Sequence, residues 1–183
     1  VYLVAGGKYH NIDHARVEIL KLLAEQPRIK IQVGSDYSDI DAICAADFLI
    51  TYTCDVLPEG DQTQRLIEFI QSGKKWFALH GTNSILRFLE PDKEGNFKVD
   101  CPEEDLPFME MLGSQFMSHP PIHEYEVQIT EPDHPLVKGI PPFKVDDELY
   151  LCKFHGEHHT LLHTNWSEPV ANFIRDDWMK DTE

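Results

Sequence analysis

Basic residues are scarce. Sixteen Lys and Arg stand against 32 Asp and Glu, a formal charge of −16 over 183 residues. A chain this acidic has no basic stripe to neutralise phosphates or to hold an anionic membrane, which argues against nucleic-acid and membrane partners. A small neutral ligand remains compatible with it. Cysteines are few and scattered: Cys44, Cys54, Cys101 and Cys152 form no C-x-x-C pair. Zinc-finger spacing and a dense disulfide framework are thereby disfavoured. No apolar run approaches the ~18 residues that span a bilayer. No signal peptide precedes the first apolar run, so a cytoplasmic location is expected. The sequence also lacks G-x-G-x-x-G and G-x-x-x-x-G-K-[ST], the loops that cradle cofactor phosphates. It has no internal repeat and no low-complexity tract.

Against these absences stands an ordinary globular composition, 42% hydrophobic and 10% aromatic. At about 150 residues per domain the length predicts one domain, 1–183. Its first half alternates strand and helix signals. Val1–Ala5 is a buried-strand run ending in Gly6-Gly7, read as a tight turn. Asp13 is placed to cap a helix over 14–26, with Val17, Leu20, Leu23 and Ala24 on one face. Ile29, Ile31 and Val33 alternate as a strand, Asp39–Ala46 makes a short helix, and Phe48–Tyr52 is a third strand. Leu57–Asp61 opens a helix that carries Leu66, Ile67, Phe69 and Ile70 inward and stops at Gly73. Trp76–Leu79 is a fourth strand. This alternation implies a parallel sheet covered on both faces. The second half is less regular. Residues 90–107 read as a surface insertion, Tyr125, Val127 and Ile129 as a half-exposed strand, and Leu149–Phe154 as another.

Ligands of open parallel sheets bind beyond the carboxyl ends of the strands. Three segments should arrive there: Gly6–His10, Tyr52–Asp55 and His80–Asn83. His80 occupies a sharp strand-to-helix turn, the setting of a nucleophile elbow. Imidazole there suits proton transfer, carbonyl hydrogen bonding or a metal, and argues against a covalent acyl-enzyme. Spacing alone does not separate these roles from a structural histidine bonded to a loop carbonyl. His155, His158, His159 and His163 cluster locally and read as a polar surface loop or a metal site. Asp146-Asp147-Glu148 enters a strand, and holds a catalytic carboxylate or only solvated ones.

The order of these motifs is specific. His80-Gly81 after a strand, Leu112-Gly113-Ser114-Gln115-Phe116 with Ser118-His119-Pro120, His134-Pro135-Leu136 and Asp147-Glu148-Leu149-Tyr150 together resemble the trehalose-utilisation (ThuA-like) family. Gly6-Gly7 with Tyr9-His10 is similar to that family's first loop, and the resemblance covers nearly the whole chain. It implies a flavodoxin-like, class I glutamine amidotransferase-like α/β fold, a three-layer sandwich with a mainly parallel central sheet. His80 stands where an amidotransferase has its nucleophilic Cys, so a glutaminase is not expected. The family's pattern runs on into a further strand and a Gly-His segment that has no counterpart before Glu183.

The resemblance also implies carbohydrate metabolism, with a link to 3-keto sugars. The expected activity is histidine-assisted proton transfer on a keto-sugar or glycoside derivative, an isomerisation, elimination or hydrolysis. In that reading His80 is the base or carbonyl donor, His119 its partner, and Glu148 orients one of them. Tyr9, His10 and Phe116, with Gly81 and Thr82 beside His80, contact the sugar. His10, His80 and His119, with or without Glu148, also make an open shell for zinc or another divalent ion. The rival expectation is a non-catalytic sugar-binding or complex-forming module, with homo-oligomers allowed in either case.

Overall fold

Leu3, Val4 and Ala5 lose all solvent contact, because their strand runs through the middle of a sheet clothed on both sides. The computed structural model describes residues 1–168, 170 and 172–174. They divide into two units, one built from Val1–Leu86 and Pro102–Leu112, the other from Arg87–Cys101 and the chain from Gly113 onward.

In the first unit the elements follow as β1 (Tyr2–Gly7), α1 (Ile12–Ala24), β2 (Gln32–Gly34), α2 (Ile40–Ala45), β3 (Phe48–Cys54), α3 (Gln62–Gln71) and β4 (Lys75–Leu79). A single 3₁₀ turn, His80–Asn83, completes this run. The four strands form one sheet in the order β2-β1-β3-β4. All pairs are parallel, in registers such as Tyr2↔Gln32, Tyr2↔Leu49 and Phe48↔Lys75. The four-strand expectation therefore holds, with β2 much shorter than the alternation of Ile29, Ile31 and Val33 predicts. The Ile29 amide donates to the Gln26 carbonyl, and this turn withholds the start of that segment from the ladder.

One face of the sheet, with Leu3, Ala5 and Ile50, is covered by Ile12, Ile19, Leu20 and Leu23 of α1. This corrects the expected inward face, since Val17 is 47% exposed and Ala24 is also exposed. A stripe through 12, 16, 19, 20 and 23 keeps the helical period better than one through 17, 20, 23 and 24. Arg16 completes that stripe, and its guanidinium donates to the Ala5 carbonyl at 2.6 Å. Asn11, not Asp13, is the cap: its side chain accepts the His14 amide.

The other face carries Tyr2, Val4 and Leu49 against α2, α3 and a fourth helix, α4 (Leu106–Leu112). Ile43, Leu66, Phe69, Phe108 and Met109 are buried there. Burying a side chain the size of Leu66 contributes about 1.5–3 kcal/mol. The layers are therefore α1, the parallel sheet, and α2–α4, a flavodoxin-like arrangement. Gly73, at φ 87°, ends α3 as predicted, its amide donating to the Ile70 carbonyl.

The second unit is built mostly of antiparallel pairs. Here β5 (Arg87–Phe88) pairs with β6 (Val99–Asp100), and β7 (Ser114–Ser118) is followed by β8 (His123–Ile129), β9 (Phe143–Asp147), β10 (Leu151–Phe154) and β11 (Leu162–His163). β10 lies on β7, while β8 lies between β11 and β9. Along β8, half-buried and exposed residues alternate, as expected for Tyr125, Val127 and Ile129. Within 90–107, Val99 and Cys101 are buried, and Val99 forms a bridge with Phe173. All four cysteines are unbridged thiols. Among the described residues no helix is long and apolar enough to cross a membrane.

Candidate functional site at the carboxyl edge of the parallel sheet

The strand order reverses direction between β1 and β3, the switch point at which an open parallel sheet leaves a crevice beyond its strand ends. Three of the four non-glycine residues with left-handed φ among the described residues lie just past strand ends here. They are Tyr9 (69°) after β1, Asp55 (57°) after β3 and His80 (48°) after β4. Each costs about 1–2 kcal/mol relative to ordinary backbone, and such strain gathers where function overrides local preference.

Glycines make the close approach of these loops feasible. A Cβ on Gly6 would lie 1.9 Å from the Ser35 carbonyl oxygen, and one on Gly7 2.0 Å from that of Cys54. Both glycines are the last residues of β1, paired with Thr53 and Cys54. Their requirement is therefore crowding between strands, with Gly7 also at φ 105°. Gly81 lies on β3 in the same way: its Cβ would meet the Thr53 carbonyl oxygen at 2.7 Å. Beneath the turn, the buried Thr82 hydroxyl donates to the Leu79 carbonyl at 2.8 Å and stands 3.0 Å from the Thr51 hydroxyl. Trp76 Nε1 donates to that same Thr51 oxygen. Gly81 and Thr82 are both buried, and they fix the turn from which His80 projects.

Three rings meet above it. The His80 imidazole lies nearly parallel to Tyr52, with centroids 5.7 Å apart and 16° between planes. His10 meets His80 edge-on at 4.4 Å and 88°, and meets Tyr52 at 6.4 Å. A ligand nitrogen of His10 lies within 4.8 Å of one on His80, so this pair can exchange a proton through a bound oxygen or offer two ligands to a divalent ion. Around them Lys8 Nζ pairs with Asp55 at 2.9 Å. The hydrogen bond and charge of Asp55 hold the Lys8 ammonium above its ordinary pKa. Tyr9 is 56% exposed. Cys54 is buried against Gly81.

The other predicted residues belong to the second unit. Phe116 is buried and packs on Tyr150, with centroids 4.3 Å apart. His119 lies 5.2 Å from Phe173 and stacks on Tyr150 at 6.4 Å. Its Nδ1 is 2.7 Å from the Pro120 carbonyl oxygen, which fixes the proton there. Glu148 is half-buried, its amide donating to Asp147 Oδ1. The histidines of the 155–163 run are spread over separate partners: His158 stacks on Phe154, His159 pairs with Glu131, and His163 meets Thr130. Sequence reasoning missed Tyr52 and Asp55 as individual site residues, though their segment was placed at this edge. It missed Tyr150 and Phe173 as aromatic neighbours of His119.

The sequence pattern of the trehalose-utilisation (ThuA) family matches residues 1–179. The chain belongs to that family. A solved ThuA-like protein from Parabacteroides merdae matches at 21% identity and a TM-score of 0.51, over 81% of this chain and 61% of that one. The chain thus spans about three fifths of that ThuA-like protein, and what the two share is the flavodoxin-like fold. None of the curated proteins matches the chain.

Proposed function

We propose that this ThuA-family chain is an enzyme acting on a neutral keto-sugar or glycoside derivative by histidine-assisted proton transfer. The observation that carries the reading is His80, held in a strained conformation at the end of β4 with Tyr52 against one face and His10 at its edge. A ketone acidifies the neighbouring C–H of a sugar. An imidazole that titrates near neutrality can accept that proton, while a donor stabilises the oxygen of the developing enediolate. In this reading His10 takes the proton on its outward ring nitrogen and His80 donates to the oxygen. Returning the proton to the adjacent carbon isomerises the sugar, and expelling a β-substituent from the enediolate eliminates it.

Tyr9 and Phe116 remain proposed sugar contacts, and His119 and Glu148 the proposed acid–base groups of the second unit. The amidotransferase likeness of the scaffold is part of the same proposal, with His80 in place of the nucleophilic Cys and hence no glutaminase activity. A divalent ion such as zinc on His10 and His80 would polarise the ketone by a Lewis-acid route. The test is incubation with a panel of 3-keto-glycosides, followed by NMR, with and without chelator. Turnover that disappears in His80→Ala supports the proposal. Sugar-induced thermal stabilisation without turnover of any panel member overturns it in favour of a binding module.

A further inference from the structure

The Asp55 carboxylate faces two donors at once. Oδ2 lies 2.9 Å from Lys8 Nζ, and Oδ1 accepts the Leu86 amide at 3.2 Å. The Lys8 backbone is itself tied down, its amide donating to the Cys54 carbonyl at 3.1 Å. Two residues on, His10 Nδ1 lies 3.2 Å from the Lys8 carbonyl oxygen. A carbonyl only accepts, so this contact requires the proton on Nδ1 and leaves the lone pair of the neutral ring on Nε2. Between them Tyr9 turns through φ 69°, and the His10 carbonyl accepts the Ile12 amide as α1 begins.

We infer that Asp55 is a positioning residue: through its ion pair with Lys8 it holds the carbonyl that fixes the tautomer and ring orientation of His10 beside His80. The inference rests on the reading of His10 and His80 as the reacting pair, but the tautomer is observable without turnover. Residue type and backbone agree on Asp at this position. A short polar side chain tolerates the left-handed φ of 57°, and a carboxylate offers the ammonium and the amide one acceptor oxygen each.

Asp55→Asn separates these duties. Asparagine also tolerates left-handed backbone, and its Oδ1 can still accept the Leu86 amide, but its NH₂ cannot accept from Lys8. Nitrogen-15 NMR of the full chain at pH 8 reads the two ring nitrogens of His10. The wild type is expected predominantly protonated at Nδ1. Asp55→Asn and Lys8→Met should each lower the Nδ1-H to Nε2-H ratio at least threefold. The double variant should add nothing further, as for residues acting through one link, and Lys8→Arg should retain the wild-type ratio. An unchanged ratio in folded Asp55→Asn and Lys8→Met overturns the inference, whatever the turnover. Altered ratios in a protein that turns over no sugar leave the positioning intact and sink the catalytic reading instead. With an active substrate, Asp55→Asn should lower kcat about tenfold or more with KM little changed, the pattern of a misoriented acid–base group.

Discussion

The phenol ring of Tyr52 lies 16° from parallel with the imidazole of His80, and that single contact joins the centre of the sheet to its strained edge. Tyr52 belongs to β3 and pairs with Leu79, the residue before His80. The ladder register therefore sets the height of one ring against the other. With His10 edge-on, His80 is confined from two directions while its backbone sits at φ 48°.

Because glycine adopts that φ without penalty, His80→Gly should stabilise the fold by about 1 kcal/mol while removing the imidazole. Urea unfolding of wild type and variant checks this. A variant less stable than wild type would show that ring packing outweighs the backbone strain.

Gly81→Ala should destabilise by about 1–3 kcal/mol, as overpacking does. The added Cβ would meet a backbone oxygen at 2.7 Å and Cys54 Cβ at 2.9 Å. Gly7→Ala, with its contact at 2.0 Å and φ of 105°, should be worse. Denaturation midpoints at constant slope give the comparison.

Tyr37 is fully buried, and burial pushes its phenol pKa well above the ordinary 10.0. Above pH ~10 the unfolded chain sheds this proton while the native state keeps it, so stability falls as pH rises. Below that value Tyr37 adds no pH dependence. Tyr2, raised by burial and by Asp39, contributes in the same window. Tyr37→Phe should therefore reduce, and not abolish, the loss of stability between pH 9 and 11, measured by denaturant titration at each pH.

The corrected face of α1 gives a paired test. Leu66→Ala, deleting a fully buried side chain of α3, should cost about 2–5 kcal/mol. Val17→Ala, on the outward side of α1, should stay within about 0.5 kcal/mol. Comparable losses for both would return Val17 to the core.

The parallel strands were legible because three of them are short apolar runs, although only β1 and β3 are buried on both faces and β4, at the sheet edge, leaves Phe77 54% exposed. The short β2 was not, since the hydrogen bond from Ile29 to Gln26 competes with the alternation of 29, 31 and 33. Asn11 and Asp13 are both chemically able to cap α1, and a difference of two residues in where the helix starts decided between them. His80 was visible from its place after an apolar run and before glycine. Tyr52 and Asp55 were not singled out, because their meaning lies in strand register and backbone sign, neither of which a residue name announces. Tyr150 and Phe173 gain theirs from contacts with His119 and Phe116, far away in sequence.

The first unit is discontinuous: its chain leaves at Leu86 and returns at Pro102. Phe108 and Met109, both without solvent exposure, come from the returning piece and pack in the same cluster as Tyr37, Ile43 and Leu66. During synthesis the parallel sheet is therefore finished long before its outer layer. Until Leu112 has left the ribosome, Tyr37 and Trp76 lack the ring of Phe108 against which both pack. At roughly 5–20 residues per second, that is an interval of a second or more in which a nascent apolar face stands open to chaperones.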